Sequence, residues 1–336
     1  MKLRDFDYSL PPELVAQSPA PLRDASRLMV VPRSGGPIQH RKFTELPRWL
    51  RLGDLLVLND TRVVPARLIL ARESGGRVEA LLLRRAEGRR WEALLDPGRR
   101  LRAGEALRLE DGSVCRIGER SAAGVWTVEF EIEDGALDRL GRAPLPPYIK
   151  RPGGPTPEDL ERYQTVYAER PGSIAAPTAG LHFTREMLDR IASAGVAVAR
   201  VTLHVGTGTF KPVRTEEVEA HVMDPERYEI PLETLDALHR VKESKSRVVA
   251  VGTTSCRTLE AWALTGKTSG STDLFIHPPF EFRVVDALLT NFHLPKSTLL
   301  MLVCAFAGRE RTLEAYAEAV KEKYRFFSYG DASLWI

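Results

Sequence analysis

Hydrophobic and polar positions along the chain fall into two textures. In residues 1–65 and 144–336, compact apolar runs alternate with amphipathic stretches of helical period. In residues 66–143, short alternating runs are broken repeatedly by turn signals such as Ser74-Gly75-Gly76, Glu87-Gly88, Pro97-Gly98 and Asp111-Gly112. The first texture predicts strands and helices packed in layers. The second predicts many short strands and no helix.

Particular elements follow from this pattern. The run Leu55-Leu56-Val57-Leu58 stops at Asn59-Asp60-Thr61-Arg62, which reads as a buried strand entering a polar loop. Within the inserted texture, 78–83 and 125–132 read as strands. Residues 159–167 form a short helical candidate. Thr184 can cap a helix through Ile191, with Gly195 just past its end. Residues 196–205 alternate, so that Ala197, Ala199, Val201, Leu203 and Val205 share one face of a strand. An amphipathic helix is expected over 232–242 and a buried strand over 247–251. Gly252-Thr253-Thr254-Ser255 then forms a connection to a helix over 256–264. Ser297 can cap the apolar helix 299–307. A last helix over 312–324 is expected to bury Leu313, Ala317, Val320 and Tyr324.

The fold class expected is α/β, a barrel-like α/β main domain with an inserted all-β barrel domain. The main domain is discontinuous, 1–65 plus 144–336, and the inserted β-barrel domain is 66–143. No internal repeat or low-complexity segment appears.

Composition narrows the function classes. With 336 residues, 43% of them hydrophobic, the chain can build a sizeable core, and 28% charged residues argue against disorder. A formal net charge of +3 permits an anionic partner without requiring one. The basic residues are 38 Arg and 10 Lys, and residues 66–143 hold 15 Arg and no Lys against 14 acids. Arg pairs cluster near turns there, at Arg84-Arg85, Arg89-Arg90 and Arg99-Arg100. They suit either a solvated rim or an RNA backbone contact. Cys115, Cys256 and Cys304 are far apart, so neither a disulfide framework nor a zinc site is expected. The charged start lacks an apolar signal core, and the run 299–307 is too short to span a bilayer. A cytoplasmic protein is expected. Nothing calls for an obligate dimer, so a monomer is expected.

Four loops are too unusual to be simple core. Gly172–Phe183 is rich in small residues and carries Thr178, Gly180 and His182, where a backbone can approach a ligand closely. His204-Val205-Gly206-Thr207-Gly208-Thr209 follows a strand, the place where α/β proteins bind ligands. It lacks the third glycine of a dinucleotide fingerprint and the Gly-Lys-Ser/Thr end of an NTPase phosphate loop. Gly252-Thr253-Thr254 precedes a helix whose start would suit a carboxylate or phosphate. Asn291-Phe292-His293 lies between a buried strand and a buried helix. The residues alone reach an α/β enzyme with a small-molecule site made from Gly, Thr and His loops. They do not reach the reaction. No metal-ligand spacing and no nucleophile elbow is present.

At these same segments the chain resembles one family, the S-adenosylmethionine:tRNA ribosyltransferase-isomerases of queuosine biosynthesis (QueA). The matching stretches run from Phe6-Asp7-Tyr8 through Leu58-Asn59-Asp60-Thr61-Arg62-Val63, Pro65-Ala66-Arg67 and Leu145-Pro146-Pro147-Tyr148-Ile149. They continue through Tyr163-Gln164-Thr165-Val166-Tyr167, Ala176–Phe183, Leu203–Phe210, His221, Gly252-Thr253-Thr254 with Arg257, and Thr290–Pro295. The last is Tyr329-Gly330-Asp331-Ala332. Each motif is modest; their joint order is specific. The inserted barrel matches only loosely.

The resemblance implies S-adenosylmethionine as co-substrate and no metal. It implies that the ribosyl part of S-adenosylmethionine is transferred to 7-aminomethyl-7-deazaguanine in tRNA and isomerised. The product is epoxyqueuosine-tRNA, and adenine and methionine leave. A sulfonium acidifies the neighbouring ribose carbon, so a base can begin the reaction, and histidine suits that role near neutral pH. The catalytic candidates are therefore His182, His204, His293 and Asp331. Gly206, Thr207, Gly208, Thr209, Gly252, Thr253 and Thr254 are expected to hold S-adenosylmethionine. Asn59, Asp60, Arg62, Arg67, Thr178, Gly180 and Asn291 are expected to face the tRNA substrate. Two rival readings are an S-adenosylmethionine-dependent RNA methyltransferase and a non-catalytic RNA-binding protein. The first lacks an early strand, Gly-rich turn and helix unit; the second lacks an aromatic stacking platform.

Overall fold

A computed structural model describes residues 1–122, 124–130, 135–206, 208 and 213–336. The chain divides into two compact units. One comprises Met1–Arg62, Pro147–Lys150 and Gln164–Ile336; the other comprises Val63–Pro146 and Arg151–Tyr163.

The first unit is built on a nine-stranded mixed sheet. Its spatial order is Ser269–Thr272, Glu226–Glu229, Ala197–Leu203, Leu55–Asn59, Val248–Val251, Ala287–Asn291, Ala332–Trp335, Arg27–Val31 and Gln39–Lys42. Leu55–Asn59 pairs in parallel with both Ala197–Leu203 and Val248–Val251, and Val248–Val251 pairs in parallel with Ala287–Asn291. These central strands read as unbroken apolar runs because both of their faces are covered. Leu55, Val57, Val248 and Ala250 point into one core, while Leu56, Leu58, Val249 and Val251 point into the other. The first core is covered by helices Leu232–Ser244, Gly252–Thr265, Thr298–Ala307 and Arg309–Lys321, and the second by helix Arg185–Ser193.

Local signals set the helix ends. Thr184 accepts the Met187 N–H at 3.1 Å, and Ser297 accepts the Leu300 N–H at 3.2 Å, as expected of N-caps. Two expectations need correction. Gly252-Thr253-Thr254-Ser255 is not a connecting loop but the first turn of helix Gly252–Thr265. Gly252 has φ +85°, which lets the strand turn directly into the helix without a linker. The last helix is Arg309–Lys321, and its buried residues are Thr312, Ala315, Tyr316 and Ala319, while Ala317 is exposed. Alanines recur on both faces there, so apolar periodicity could not choose between them; the Tyr316 ring does.

In the second unit six strands close an antiparallel barrel in the order Trp126–Phe130, Arg90–Asp96, Arg77–Arg85, Arg67–Arg72, Ala106–Arg108 and Val114–Arg120. Its interior takes the alternating Leu68, Leu70, Val78, Ala80, Leu107, Ile117 and Val128 side chains. Several arginines lie in ion pairs within this unit, including Arg67–Glu79, Arg72–Glu105 and Arg142–Glu110. Arg89, Arg99, Arg100 and Arg102 are exposed. Among the described residues no helix is long and apolar enough to cross a membrane.

Candidate active site

A cavity of about 520 Å³ opens in the first unit where the parallel strands Val248–Val251 and Ala287–Asn291 end. That is the usual place for a ligand in an α/β sheet, and the volume suits a small molecule. Six of the residues singled out from sequence line it: Thr178, Gly252, Thr253, Thr254, Asn291 and His293.

His293 is fixed from several sides. Its backbone N–H donates to the Tyr316 hydroxyl at 3.1 Å, and its carbonyl accepts the Tyr8 hydroxyl. Its ring Nε2 lies 3.0 Å from Thr290 Oγ1. Burial pushes the imidazole down to about 3, so it is neutral at pH 7. Tyr8, Thr290 and Tyr316 were missed as site residues. Tyr8 and Thr290 stand within matching motifs, but their contact with His293 is visible only in the folded chain.

Asn291 is the second fixed point. It is 2% exposed, and its Nδ2 donates to the Phe327 carbonyl at 3.1 Å and to His182 Nε2 at 3.2 Å. An amide nitrogen can only donate, so His182 Nε2 accepts. His182 therefore carries its proton on Nδ1, which donates to Ser26 Oγ at 2.8 Å. Both ring nitrogens are occupied, and burial, with a smaller contribution from Arg325, pushes the imidazole down to about 3.

The remaining candidates are not among the residues that line this cavity. His204 Nδ1 lies 2.8 Å from Thr61 Oγ1, and burial lowers its pKa. Asp331 is buried, with its two oxygens accepting the N–H groups of Arg27 and Arg325 at 2.8 Å each; burial raises its pKa. Asn59 ties to the backbone of Leu203 through both of its amide atoms. Asp60 accepts the Thr202 hydroxyl at 2.6 Å, and burial raises its pKa. Gly180 leaves room for Tyr167, whose hydroxyl would lie 2.0 Å from a Cβ at that position. Gly206 donates its N–H to Glu226 Oε1 at 3.0 Å, and a Cβ at Gly208 would lie 2.8 Å from an Asp224 oxygen. Arg62 is exposed, and Arg67 is paired inside the barrel unit. Thr207 and Thr209 lie outside the described residues. Among the described residues, no group of three or more His, Cys, Asp or Glu is arranged to hold a metal ion.

The two buried imidazoles couple stability to pH. Their folded pKa values lie below the unfolded value near 6.5, so the unfolded chain takes up protons first as pH falls. Their contribution is complete above pH 6.5 and is lost progressively down to about pH 3. At pH 5 each should have cost about 2 kcal/mol. Urea melts at pH 7.5 and pH 5.0 should show the loss, and a double variant His182→Gln, His293→Gln should flatten the slope. Equal slopes in both proteins would show that the rings do not titrate in this way.

Comparisons with known proteins agree along the whole chain. The family model described as "Queuosine biosynthesis protein" matches residues 3–335. The S-adenosylmethionine:tRNA ribosyltransferase-isomerase of Thermosipho africanus is 53% identical over 99% of both chains. That of Rubrobacter xylanophilus is 54% identical, covering 99% of this chain and 97% of its own. A crystal structure of S-adenosylmethionine tRNA ribosyltransferase from Thermotoga maritima is similar at TM-score 0.58, with 41% identity, 99% of this chain and 100% of that chain covered.

Proposed function

The chain belongs to the queuosine biosynthesis protein family, and on that premise we propose how its own residues serve an S-adenosylmethionine:tRNA ribosyltransferase-isomerase. The enzyme transfers and isomerises the ribosyl part of S-adenosylmethionine onto 7-aminomethyl-7-deazaguanine in tRNA, giving epoxyqueuosine-tRNA with release of adenine and methionine. The observation that carries the reading is full-length similarity to enzymes of that name, together with a strand-end cavity whose wall holds a neutral histidine.

His293 is the acid–base group. Its neutral ring can take a proton from the carbon beside the sulfonium, and Thr290 fixes the ring's direction. Gly252, Thr253 and Thr254 hold S-adenosylmethionine at the helix start, where unpaired N–H groups and the helix dipole favour an anion. Gly206 and Gly208 leave the backbone after His204 free of side chains there, so that a ligand can approach it. His204 acts through Thr61, and Asp331 holds the segments around Arg27 and Arg325 together. The chemistry as read needs acid–base groups only and no metal. The tRNA backbone meets Arg62 and the exposed arginines of the barrel unit, with the target base presented from a single-stranded loop. The enzyme acts as a monomer in the cytoplasm.

The test mixes purified protein with S-adenosylmethionine and tRNA bearing the 7-aminomethyl-7-deazaguanine base. Free adenine and the epoxycyclopentane gain in nucleoside mass are the expected products. Adenosylhomocysteine with a methyl gain would overturn the reading in favour of a methyltransferase. No product with folded protein and bound tRNA would favour a binding protein.

A further inference from the structure

His204 is held at one ring nitrogen and open at the other. Thr61 is fully buried, and among the described residues its hydroxyl has one hydrogen-bond partner, His204 Nδ1 at 2.8 Å. A buried hydroxyl proton without an acceptor costs stability, so Thr61 donates and Nδ1 accepts. The neutral ring therefore carries its proton on Nε2. That nitrogen makes no hydrogen bond among the described residues, and it is not one of the unpartnered atoms sealed from solvent.

Two arginines flank the ring. Arg227 stands opposite His204 on the neighbouring strand. The His204 N–H donates to the Arg227 carbonyl at 2.9 Å, one step beyond the Leu203–Tyr228 pair. Residues directly opposed in paired strands share a face of the sheet. On the other side runs strand Arg170–Ser173. A Cβ on Gly172 would lie 2.9 Å from the His204 ring, so that position points at the imidazole and its missing side chain makes the room. Arg170, two residues earlier in the strand, points to the same face. The electrostatics agree: burial lowers the His204 pKa, Arg227 and Arg170 lower it further, and Glu229 opposes them. Arg170 and Arg227 are exposed, and among the described residues neither side chain makes an ion pair or a hydrogen bond. Arg200, on the same strand face as His204, is already engaged by Glu169 at 2.6 Å. Two free guanidiniums and an imidazole N–H thus face one carboxylate, Glu229.

Converging donors of this kind suit an oxyanion, and the guanidinium fork matches phosphate. The cluster adjoins the cavity along the chain, because Val205, next to His204, and Ala175, three residues past Gly172, both line it. S-adenosylmethionine carries no phosphate, whereas an RNA carries one at every nucleotide. We propose that His204 Nε2, Arg170 and Arg227 bind one phosphate of the tRNA backbone beside the nucleotide whose base enters the cavity. This rests on tRNA being the substrate.

The test measures binding of an RNA stem–loop bearing the target base, with single phosphates replaced in turn by uncharged methylphosphonates. One replacement should weaken wild-type binding by about 10- to 100-fold, the worth of a hydrogen bond between charged groups. Arg170→Gln, Arg227→Gln and His204→Ala should bind unmodified RNA more weakly and lose most of their sensitivity at that same phosphate, because partners of one contact are not additive. Arg240→Gln removes an exposed arginine from helix Leu232–Ser244 and should keep the full sensitivity. The wild-type scan needs no variant to fold. If no single replacement weakens wild type, or if the arginine variants keep wild-type sensitivity at every phosphate, the inference is overturned. Inorganic phosphate supplies the other arm: if it shifts the His204 ring resonances while RNA binding ignores both arginines, the cluster serves a free anion instead. If wild type binds no RNA at all, the functional reading falls too, whereas loss of this contact alone leaves it standing.

Discussion

Replacing His293 with alanine is expected to lower turnover by about 10²- to 10⁴-fold, the range for loss of a positioned general acid or base. Among the histidines singled out from sequence it alone lines the cavity, and it is held there through Tyr8, Tyr316 and Thr290. Burial keeps the ring neutral by pushing its pKa down to about 3. That makes it able to accept a proton at pH 7 but intrinsically weak as a base. His293→Gln can still hydrogen-bond Thr290 but cannot relay a proton, so it should fall as far as the alanine variant. The KM for S-adenosylmethionine should change less than kcat. A variant that melts normally and keeps wild-type kcat would remove His293 from the chemistry.

Much of the fold is written locally, and much of the site is not. Thr184 and Ser297 cap helices where their spacing predicts, because an N-cap is satisfied by atoms three residues away. The buried strands around Leu55 and Val248 declare themselves as apolar runs for the same local reason. The glycines and turns of 66–143 likewise signal short strands, and these close into a barrel. The site depends instead on distant contacts. His182 meets Asn291 across 109 residues and Ser26 across 156. No pattern in sequence distinguishes a histidine whose nitrogens are both occupied from one that faces a ligand. His182, His204 and His293 look alike as loop histidines, and only packing separates them. Gly252-Thr253-Thr254 reads in sequence as the approach to a helix, but its place inside the helix itself depends on the positive φ of Gly252.

Removing the Glu226 carboxylate should be strongly damaging to the first unit. Glu226 and Arg257 form a 2.7 Å ion pair with side chains only 3% and 4% exposed. Arg257 Nε donates to the Leu274 carbonyl at 3.2 Å, while its Nη2 makes no hydrogen bond, so Glu226 is the carboxylate that compensates this buried guanidinium. Glu226 also accepts the Gly206 N–H, and Arg257 stands in the helix that begins at Gly252. One carboxylate therefore links the Gly206 backbone to that helix. Breaking a buried pair from one side strands the other charge and costs about 3–5 kcal/mol, a large part of the roughly 5–15 kcal/mol that holds a folded domain. For a unit of this size Glu226→Ala should lower Tm by about 10 °C. Replacing both partners, Glu226→Leu with Arg257→Met, removes the stranded charge and should recover much of the loss. If the double variant melts no higher than Glu226→Ala, packing around the two side chains, and not the uncompensated guanidinium, accounts for the damage. If Glu226→Ala melts as wild type does, water reaches Arg257 and the pair is not sealed from solvent. The same measurement made with S-adenosylmethionine present separates a further effect. A pair that anchors the helix start should make ligand stabilisation smaller in Glu226→Ala than in wild type, because a bound ligand raises stability in proportion to the logarithm of its affinity.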